Sequence, residues 1–226
     1  MPARWSTVPY DHAVADHLAE ATGLPPPVCA LLAGRGYNTG EAVDAFLNPR
    51  LSSCTDPFDL PDMEPAVARL RQALEDQETI LIYGDYDVDG ITSTALMVRV
   101  LTALGAKAVP FLPHRVDDGY GLGVEPVERC IAEHQPGCIL TVDCGTGSVE
   151  AVERARERGV DVIVTDHHEP GEHIAPACAV VNPKRHAPPD PLRDLAGVGV
   201  AFKLCHALLK HLRDDGGDTK GVDLRR

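Results

Sequence analysis

The sequence lacks any apolar run long enough to cross a membrane. Its longest apolar stretches have the length of strands, whereas a membrane-spanning helix needs about 20 apolar residues. The first residues, Met-Pro-Ala-Arg-Trp-Ser-Thr, also lack the apolar core of a signal peptide. An apolar fraction of 44% and a charged fraction of 24% are ordinary for a soluble globular protein. We therefore expect no membrane-spanning segment and no membrane partner.

The sequence also lacks any CxxC pair. Its seven cysteines are odd in number, which argues against a disulfide framework, and without CxxC pairs there is no zinc ribbon. This pattern predicts a protein of the reducing cytoplasm, with most thiols serving as core packing. The cysteines stand at positions 29, 54, 130, 138, 144, 178 and 205.

Positive charge is scarce. The chain has 21 Lys and Arg against 34 Asp and Glu, and its net charge is −13. A protein that binds nucleic acid usually presents a basic surface. Three interpretations follow: the substrate is not a long polyanion, or metal ions and a local basic patch make the contact, or a basic partner domain lies elsewhere.

The sequence pattern divides the chain into four stretches. Residues 1–50 predict a small helical cap, and residues 51–78 a Pro- and Asp-rich linker followed by an amphipathic helix at Met63–Gln77. Residues 79–213 alternate apolar strands with helices, and residues 214–226 form a polar tail that we expect to be flexible.

The alternation in the third stretch predicts an α/β fold. A five-stranded parallel sheet would carry helices on both faces, because parallel strands need crossover connections. The predicted strands are Thr79–Tyr83, Ala106–Leu112, Cys138–Val142, Val160–Thr165 and Ala177–Asn182.

Three aspartates follow the first predicted strand at alternating positions. Asp85, Asp87 and Asp89 lie in the turn that leads into a helix starting near Gly90. Like charges this close repel one another and resist burial, so a folded protein keeps them together mainly to hold a cation. A single acid in such a turn is more often a helix N-cap, and that is the alternative role for Asp89.

Further acids and imidazoles follow the third and fourth strands, as Asp143 and as Asp166-His167-His168. Ligands of an open parallel sheet bind beyond the carboxyl ends of its strands, so we expect all three turns at one edge. Carboxylates together with imidazole suit Mn²⁺, and all-oxygen sites favour Mg²⁺ or Ca²⁺. This many acids predicts a pair of metal ions that share a bridging carboxylate, lower the pKa of a bound water and hold a phosphoryl centre.

Three other stretches are candidates for substrate contacts. The helix start Gly90–Thr94, which includes Ser93, offers N–H groups and hydroxyls to an anion, although capping explains it equally well. His114 and Arg115 either face a substrate phosphate or belong to a surface loop. Asn182–His186 is a local basic cluster near the same edge, with a solvated loop as its alternative.

Together these motifs resemble the DHH phosphoesterase superfamily, whose name describes Asp166-His167-His168, and within it the RecJ single-strand-DNA exonuclease family. The resemblance extends over nearly the whole chain, including the N-terminal helices. The motifs that carry it are Gly84-Asp-Tyr-Asp-Val-Asp-Gly90, Gly119-Tyr-Gly-Leu122, Thr141-Val-Asp-Cys-Gly-Thr146, Thr165-Asp-His-His-Glu-Pro170, Val181-Asn-Pro-Lys184 and Gly197-Val-Gly-Val-Ala-Phe-Lys203.

The resemblance implies an exonuclease that uses Mn²⁺ or Mg²⁺, degrades single-stranded DNA from the 5′ end and releases mononucleotides in recombination and repair. Its implied partners are single-stranded DNA, a single-strand-binding protein and a helicase. The family also has a further ligand aspartate, a DHH-associated domain and an oligonucleotide-binding domain beyond the part that this chain resembles. Those parts carry much of the family's basic surface, which would explain the net charge of −13.

The resemblance also implies the roles of individual residues. Asp143 resembles the bridging ligand, and His168 a ligand or a contact to the scissile phosphate. Asp166 resembles a group that orients an imidazole, while Arg115 and Ser93 complete the candidate substrate contacts. The implied metal ligands are Asp85, Asp87, Asp89, Asp143 and His167, of which Asp85 stands where relatives often have histidine. Those with an implied catalytic role are Asp87, Asp89, Asp143, His167 and His168.

Two alternatives to the exonuclease remain at this point. One is another DHH hydrolase, acting on short oligonucleotides, cyclic dinucleotides or pyrophosphate. The other is a non-catalytic scaffold with the same fold, which we expect to have lost several ligands. The acids and histidines of these motifs are all present, which favours an enzyme, whereas the family's further aspartate, which this stretch does not include, keeps the scaffold open.

Overall fold

The computed structural model describes residues 6, 8–114, 119, 121–187 and 190–224. The chain forms two compact units, Met1–Thr55 and Asp56–Arg226. Among the described residues, no helix combines the length and the apolar character that a membrane span requires.

The first unit is a small helical bundle. It contains α1 (His12–Thr22), α2 (Pro26–Gly34) and α3 (Gly40–Leu47). The Asp11 carboxylate accepts a hydrogen bond from the Ala13 N–H at the start of α1, as an N-cap does. The buried side chains that hold the unit together are Ala15, Leu18, Cys29, Leu32 and Val43.

The second unit contains a five-stranded sheet in the order β2-β1-β3-β4-β5, and every neighbouring pair is parallel. This confirms the predicted α/β fold. The strands are β1 (Thr79–Gly84), β2 (Lys107–Phe111), β3 (Cys138–Val142), β4 (Asp161–Thr165) and β5 (Ala179–Val181). The helices are α4 (Met63–Glu75), α5 (Val88–Ala103), α6 (Val124–His134), α7 (Val149–Glu157) and α8 (Gly197–Asp214).

The central strand β1 is buried on both faces, as its unbroken apolar run requires. Ile80 and Ile82 belong to one core cluster, which also holds side chains of α4, α5 and α8. Leu81 and Tyr83 belong to a second cluster, with side chains of α6 and α7. Successive side chains of a strand point to opposite faces, so the two clusters confirm that helices cover both faces.

The order of the strands determines where a ligand can bind. From β1 the chain moves to one side to form β2 and then crosses back, so that β3 pairs with the other side of β1. Crossovers that leave in opposite directions open a crevice beyond the carboxyl ends of the two strands. Residues that directly follow β1 and β3 therefore border this crevice.

The stretch expected to form a flexible tail packs on the sheet unit. Val222 and Leu224 contact the core cluster that α5 and α8 share. A cavity of about 540 Å³ lies between α5, Phe202 and residues 220–224. The last described residues are thus part of the folded unit.

Arg69 of α4 connects the starts of three strands, at the end of the sheet where the parallel strands begin (the amino edge). Its guanidinium lies 2.7 Å from the Glu78 carboxylate and 2.6 Å from the Asp161 carboxylate. It also donates to the Gly137 carbonyl at 3.0 Å. One largely buried cation, 11% exposed, therefore neutralises two acids at this edge.

Candidate metal centre

The turn after β1 is tight, and its first acid is buried. Asp85 is only 1% exposed, and its Oδ1 accepts the Tyr86 N–H at 2.7 Å. Burial raises the pKa of Asp85 above its ordinary value. The start of α5 crosses directly over this residue, because a Cβ at Gly90 would lie 2.3 Å from the Asp85 carbonyl oxygen. Only glycine allows this approach.

Asp87 is the N-cap of α5. Its Oδ1 accepts the Gly90 N–H at 3.0 Å, and this hydrogen bond holds the pKa of Asp87 below its ordinary value. The side chain is exposed. Asp87 is therefore an exposed carboxylate whose charged form is favoured, beside the buried Asp85.

Asp143 directly follows β3 and lies at the centre of the acidic region. Its backbone has a φ of 65°, a left-handed conformation that aspartate tolerates better than most residues. It is 1% exposed, and neither carboxylate oxygen accepts a hydrogen bond from any described residue. Burial raises its pKa to about 8, and the charge of Asp87 adds to the shift. A buried carboxylate without donors needs either a proton or a metal ion.

His167 turns one ring nitrogen towards these acids. Its Nδ1 lies 3.1 Å from the Leu195 carbonyl oxygen, which assigns the proton to Nδ1. Its Nε2 lies 3.0 Å from Oδ1 of Asp143 and 3.7 Å from Oδ2 of Asp89. A carbonyl behind the imidazole and carboxylates in front of it are what a metal-binding histidine requires.

Asp166 orients the second histidine. Its Oδ1 accepts the backbone N–H of His168 at 3.1 Å and contacts Nδ1 of the same residue at 2.7 Å, which fixes the orientation of the ring. Its Oδ2 accepts the Thr146 N–H at 3.0 Å. Burial opposes ionisation of Asp166, but the bonds from Thr146 and His168 hold its pKa below the ordinary value. The sequence-based role of Asp166, to orient an imidazole, agrees with these contacts.

Asn182 supports the same motif from the end of β5. Its Nδ2 donates to the Thr146 hydroxyl and to the His168 carbonyl, each at 2.9 Å. Asn182 is fully buried. Sequence analysis placed it only in a basic loop. The missed signal was a polar amide at the end of an apolar strand, a position where it must find buried partners.

Asp89 contacts a different element from Asp85 and Asp87. Its two carboxylate oxygens accept the N–H groups of Gly197 and Val198, at 3.1 and 3.4 Å, and thereby cap α8. The alternative of an N-cap is thus realised, but on a helix that begins more than 100 residues later.

Gly197 brings α8 against the central acid. A Cβ at this position would lie 2.4 Å from Oδ1 of Asp143. Sequence analysis did not give this glycine a role in the site. It begins one of the motifs that carry the family resemblance, but the need for glycine arises from a contact between distant parts of the chain.

The ligand atoms form two overlapping clusters. One contains Asp85, Asp87 and Asp143, and the other contains Asp143, His167 and His168; within each cluster the ligand atoms lie within 4.8 Å of one another. Asp143 belongs to both, the arrangement expected of a carboxylate that bridges two ions. Carboxylate oxygens and imidazole nitrogens, with Asp143 lacking donors, fit a pair of Mn²⁺ or Mg²⁺ ions. Asp89 lies beside these clusters rather than in them.

The candidate substrate contacts differ in their placement. Ser93 is 0% exposed and its hydroxyl has no hydrogen-bond partner among the described residues. It lies on the buried face of α5, and its contact with a substrate stays a prediction. His114 is exposed after β2. Arg115 lies outside the described residues.

Comparison with known proteins identifies the family of the chain. A model of the DHH family, N-terminal domain, matches residues 79–222. The chain is 42% identical over 219 residues to the single-stranded-DNA-specific exonuclease RecJ of Bacillus subtilis, and 41% identical over 197 residues to that of Escherichia coli. These matches cover 97% and 85% of this chain, but only 28% and 33% of the relatives.

Solved structures give the same result. One is a manganese complex of RecJ from Thermus thermophilus, with 34% identity, a TM-score of 0.70, and coverage of 92% of this chain and 28% of that one. Another manganese-bound RecJ exonuclease shows 43% identity and a TM-score of 0.62, over 68% of this chain and 38% of that one. With its family model matched over more than half of its length and its acids gathered around Asp143, the chain belongs to the DHH family.

Proposed function

We propose that this chain is the catalytic part of an enzyme that hydrolyses phosphodiester bonds of single-stranded DNA with two divalent metal ions. The observation that carries the proposal is Asp143, a buried carboxylate without hydrogen-bond donors that two clusters of ligand atoms share. The relatives are named single-stranded-DNA-specific exonucleases, and two of their structures contain Mn²⁺.

Each side chain then has a definite task. Asp85, Asp87 and Asp143 would hold one ion, and Asp143 with His167 and His168 the other. Bound ions of this kind supply a water of lowered pKa and neutralise charge on the phosphate. The protein contributes orientation: the Leu195 carbonyl fixes the ring of His167. Asp166 does the same for His168.

The finer parts of the proposal come from the family resemblance. They are attack from the 5′ end, release of mononucleotides, a role in recombination and repair, and cooperation with a single-strand-binding protein and a helicase. The cytoplasm is the proposed compartment, since all seven cysteines are free thiols.

Calorimetric titration with Mn²⁺ is the first test, because it does not depend on activity. We expect binding by the wild-type chain and its loss in Asp143→Ala. A chain that binds no Mn²⁺ would favour a non-catalytic scaffold instead.

The second test compares substrates. We expect Mn²⁺-dependent release of nucleotides from a long single strand with a 5′ end, at a higher rate than from a dinucleotide, and its loss in His167→Ala. Faster turnover of the dinucleotide would identify a hydrolase of short oligonucleotides.

A further inference from the structure

A group of basic side chains lies beside the metal centre but takes no part in it. Lys184 Nζ lies 3.4 Å from Oε1 of Glu169, and Arg193 Nη2 lies 3.4 Å from Oε2 of the same carboxylate. Glu169 directly follows His168 in the chain. Two cations from a different loop therefore converge on a single carboxylate next to a proposed metal ligand.

This loop is attached to the DHH motif at both ends. Asn182 donates to the His168 carbonyl at 2.9 Å, and its Oδ1 accepts the Lys184 N–H at 2.9 Å. At the other end, the Leu195 carbonyl contacts the His167 ring. The backbone that carries the two cations is therefore held next to both histidines.

Arg185, the other arginine of the loop, has a structural role. Arg185 pairs with Asp62 at 2.6 Å and donates to the Val180 carbonyl. Arg193 also anchors the loop, because its Nη1 donates to the carbonyls of Lys184 and His186. Its Nη2 and the ammonium of Lys184 have Glu169 as their shared anionic partner.

The contact with Glu169 is easily exchanged. The Glu169 side chain is 68% exposed, and both separations exceed the 2.7–2.9 Å that is usual for a charge-assisted hydrogen bond. The side chains of Lys184 and Arg193 are 24% and 20% exposed, and an ion pair with one exposed partner contributes on the order of 1 kcal/mol. A backbone phosphodiester carries the same single negative charge as a carboxylate, but it comes linked to further phosphates of one strand, and Lys and Arg are its usual partners in proteins.

We propose that Lys184 and Arg193 form a phosphate-binding subsite for a backbone phosphate of the DNA strand next to the one being cut, and that Glu169 occupies this subsite until DNA binds. This inference rests on the proposed function. It supplies the local basic patch that an acidic chain requires in order to bind a polyanion. It also gives the site a preference for substrates with more than one phosphate.

The test is binding of a fluorescent single-stranded oligonucleotide, measured by anisotropy at several salt concentrations. We expect Lys184→Ala to raise the Kd about fivefold. The slope of log Kd against log salt concentration should also decrease by about 0.7, the value for one phosphate contact on a single strand. Glu169→Gln should lower the Kd about twofold, because it removes the competing charge. Lys184→Arg should restore wild-type binding.

Arg158→Ala is the matched control. Arg158 also pairs with an exposed carboxylate, that of Glu128 at 3.1 Å, but it follows the end of α7 at the opposite edge of the sheet. If Lys184→Ala and Arg158→Ala bind DNA equally well and with equal salt dependence, the subsite is wrong while the proposed function stands. A wild-type chain that neither binds nor cuts single-stranded DNA would instead overturn the proposed function.

Discussion

Acidic side chains have opposite surroundings at the two ends of the parallel strands, the amino edge and the carboxyl edge. At the amino edge, Glu78 and Asp161 both pair with the guanidinium of Arg69. At the carboxyl edge, Asp85 and Asp143 are as deeply buried as core residues. In the part of the chain that the structure describes, they pair with no Lys or Arg.

This difference shows which edge contains the cation that its acids need. The amino edge contains its own cation, so its charges stabilise the fold. At the carboxyl edge, burial of Asp143 and the charges of the acids around it raise its pKa to about 8, so this acid resists ionisation. The acids of this edge are therefore expected to become fully ionised only when metal ions bind.

The largest effect is expected from removing the shared charge at the carboxyl edge. Asp143→Asn keeps the shape of the side chain but cannot bridge two ions, so Mn²⁺-dependent nucleotide release should fall about 1000-fold. Asp161→Asn, at the amino edge, is the matched control and should retain most of the activity. Activity of Asp143→Asn within about tenfold of wild type would contradict the proposed role.

The next effect concerns stability at the amino edge. Arg69→Met leaves two carboxylates without their cation and should lower the free energy of unfolding by about 2 kcal/mol, since Asp161 is partly exposed. Urea denaturation measures this, and Mn²⁺ affinity should not change. Arg71→Met, on the same helix but with a more exposed pair, should cost less. Equal losses in both variants would show that burial of Arg69 has no special effect.

A smaller effect is expected where α8 meets the central acid. Gly197→Ala should displace the Asp143 carboxylate and weaken Mn²⁺ binding about tenfold in calorimetry. Gly147→Ala is the control, because a Cβ there meets no atom within 4 Å. Unchanged affinity in Gly197→Ala would mean that the helix, rather than the carboxylate, moves.

The smallest effect, counted per pH unit, is a pH dependence of the stability of the metal-free protein. The pKa of Asp143 is raised from 3.8 to about 8, so the native state holds a proton that the unfolded state releases. The contribution of this proton to the free energy of unfolding is complete below pH 3.8 and is lost as the pH rises towards 8. Relative to Asp143→Asn, wild type should lose less than about 1.4 kcal/mol per pH unit. Parallel stability curves for the two proteins would contradict the raised pKa.

The sequence was most informative where local chemistry determines structure. Apolar runs identified the five strands, and acids at strand ends located the carboxyl edge, because parallel strands bring those ends together. The ends of β5 were harder to predict. Residues 177–182 look like a strand, but pairing stops at Val181 because its partner β4 ends at Thr165.

Contacts between distant parts of the chain were not predictable in this way. Ser93 looked available to a substrate, yet the packing of α5 on the sheet buries it. Leu195 carried no signal, and Gly197 was known only from a motif of the resemblance, since their contacts in the site depend on how α8 approaches the acids. Asp89 was expected in the metal site, and its bonds to α8 depend on the same approach.

The capping of α8 by Asp89 also bears on how the protein is made. A ribosome releases residues in order, and Asp89 is synthesised 108 residues before the N–H group that it binds at Gly197. His167 is likewise synthesised before the Leu195 carbonyl that orients its ring. The sheet can begin to assemble earlier, but the nascent chain acquires an ordered metal centre only after the start of α8 has emerged.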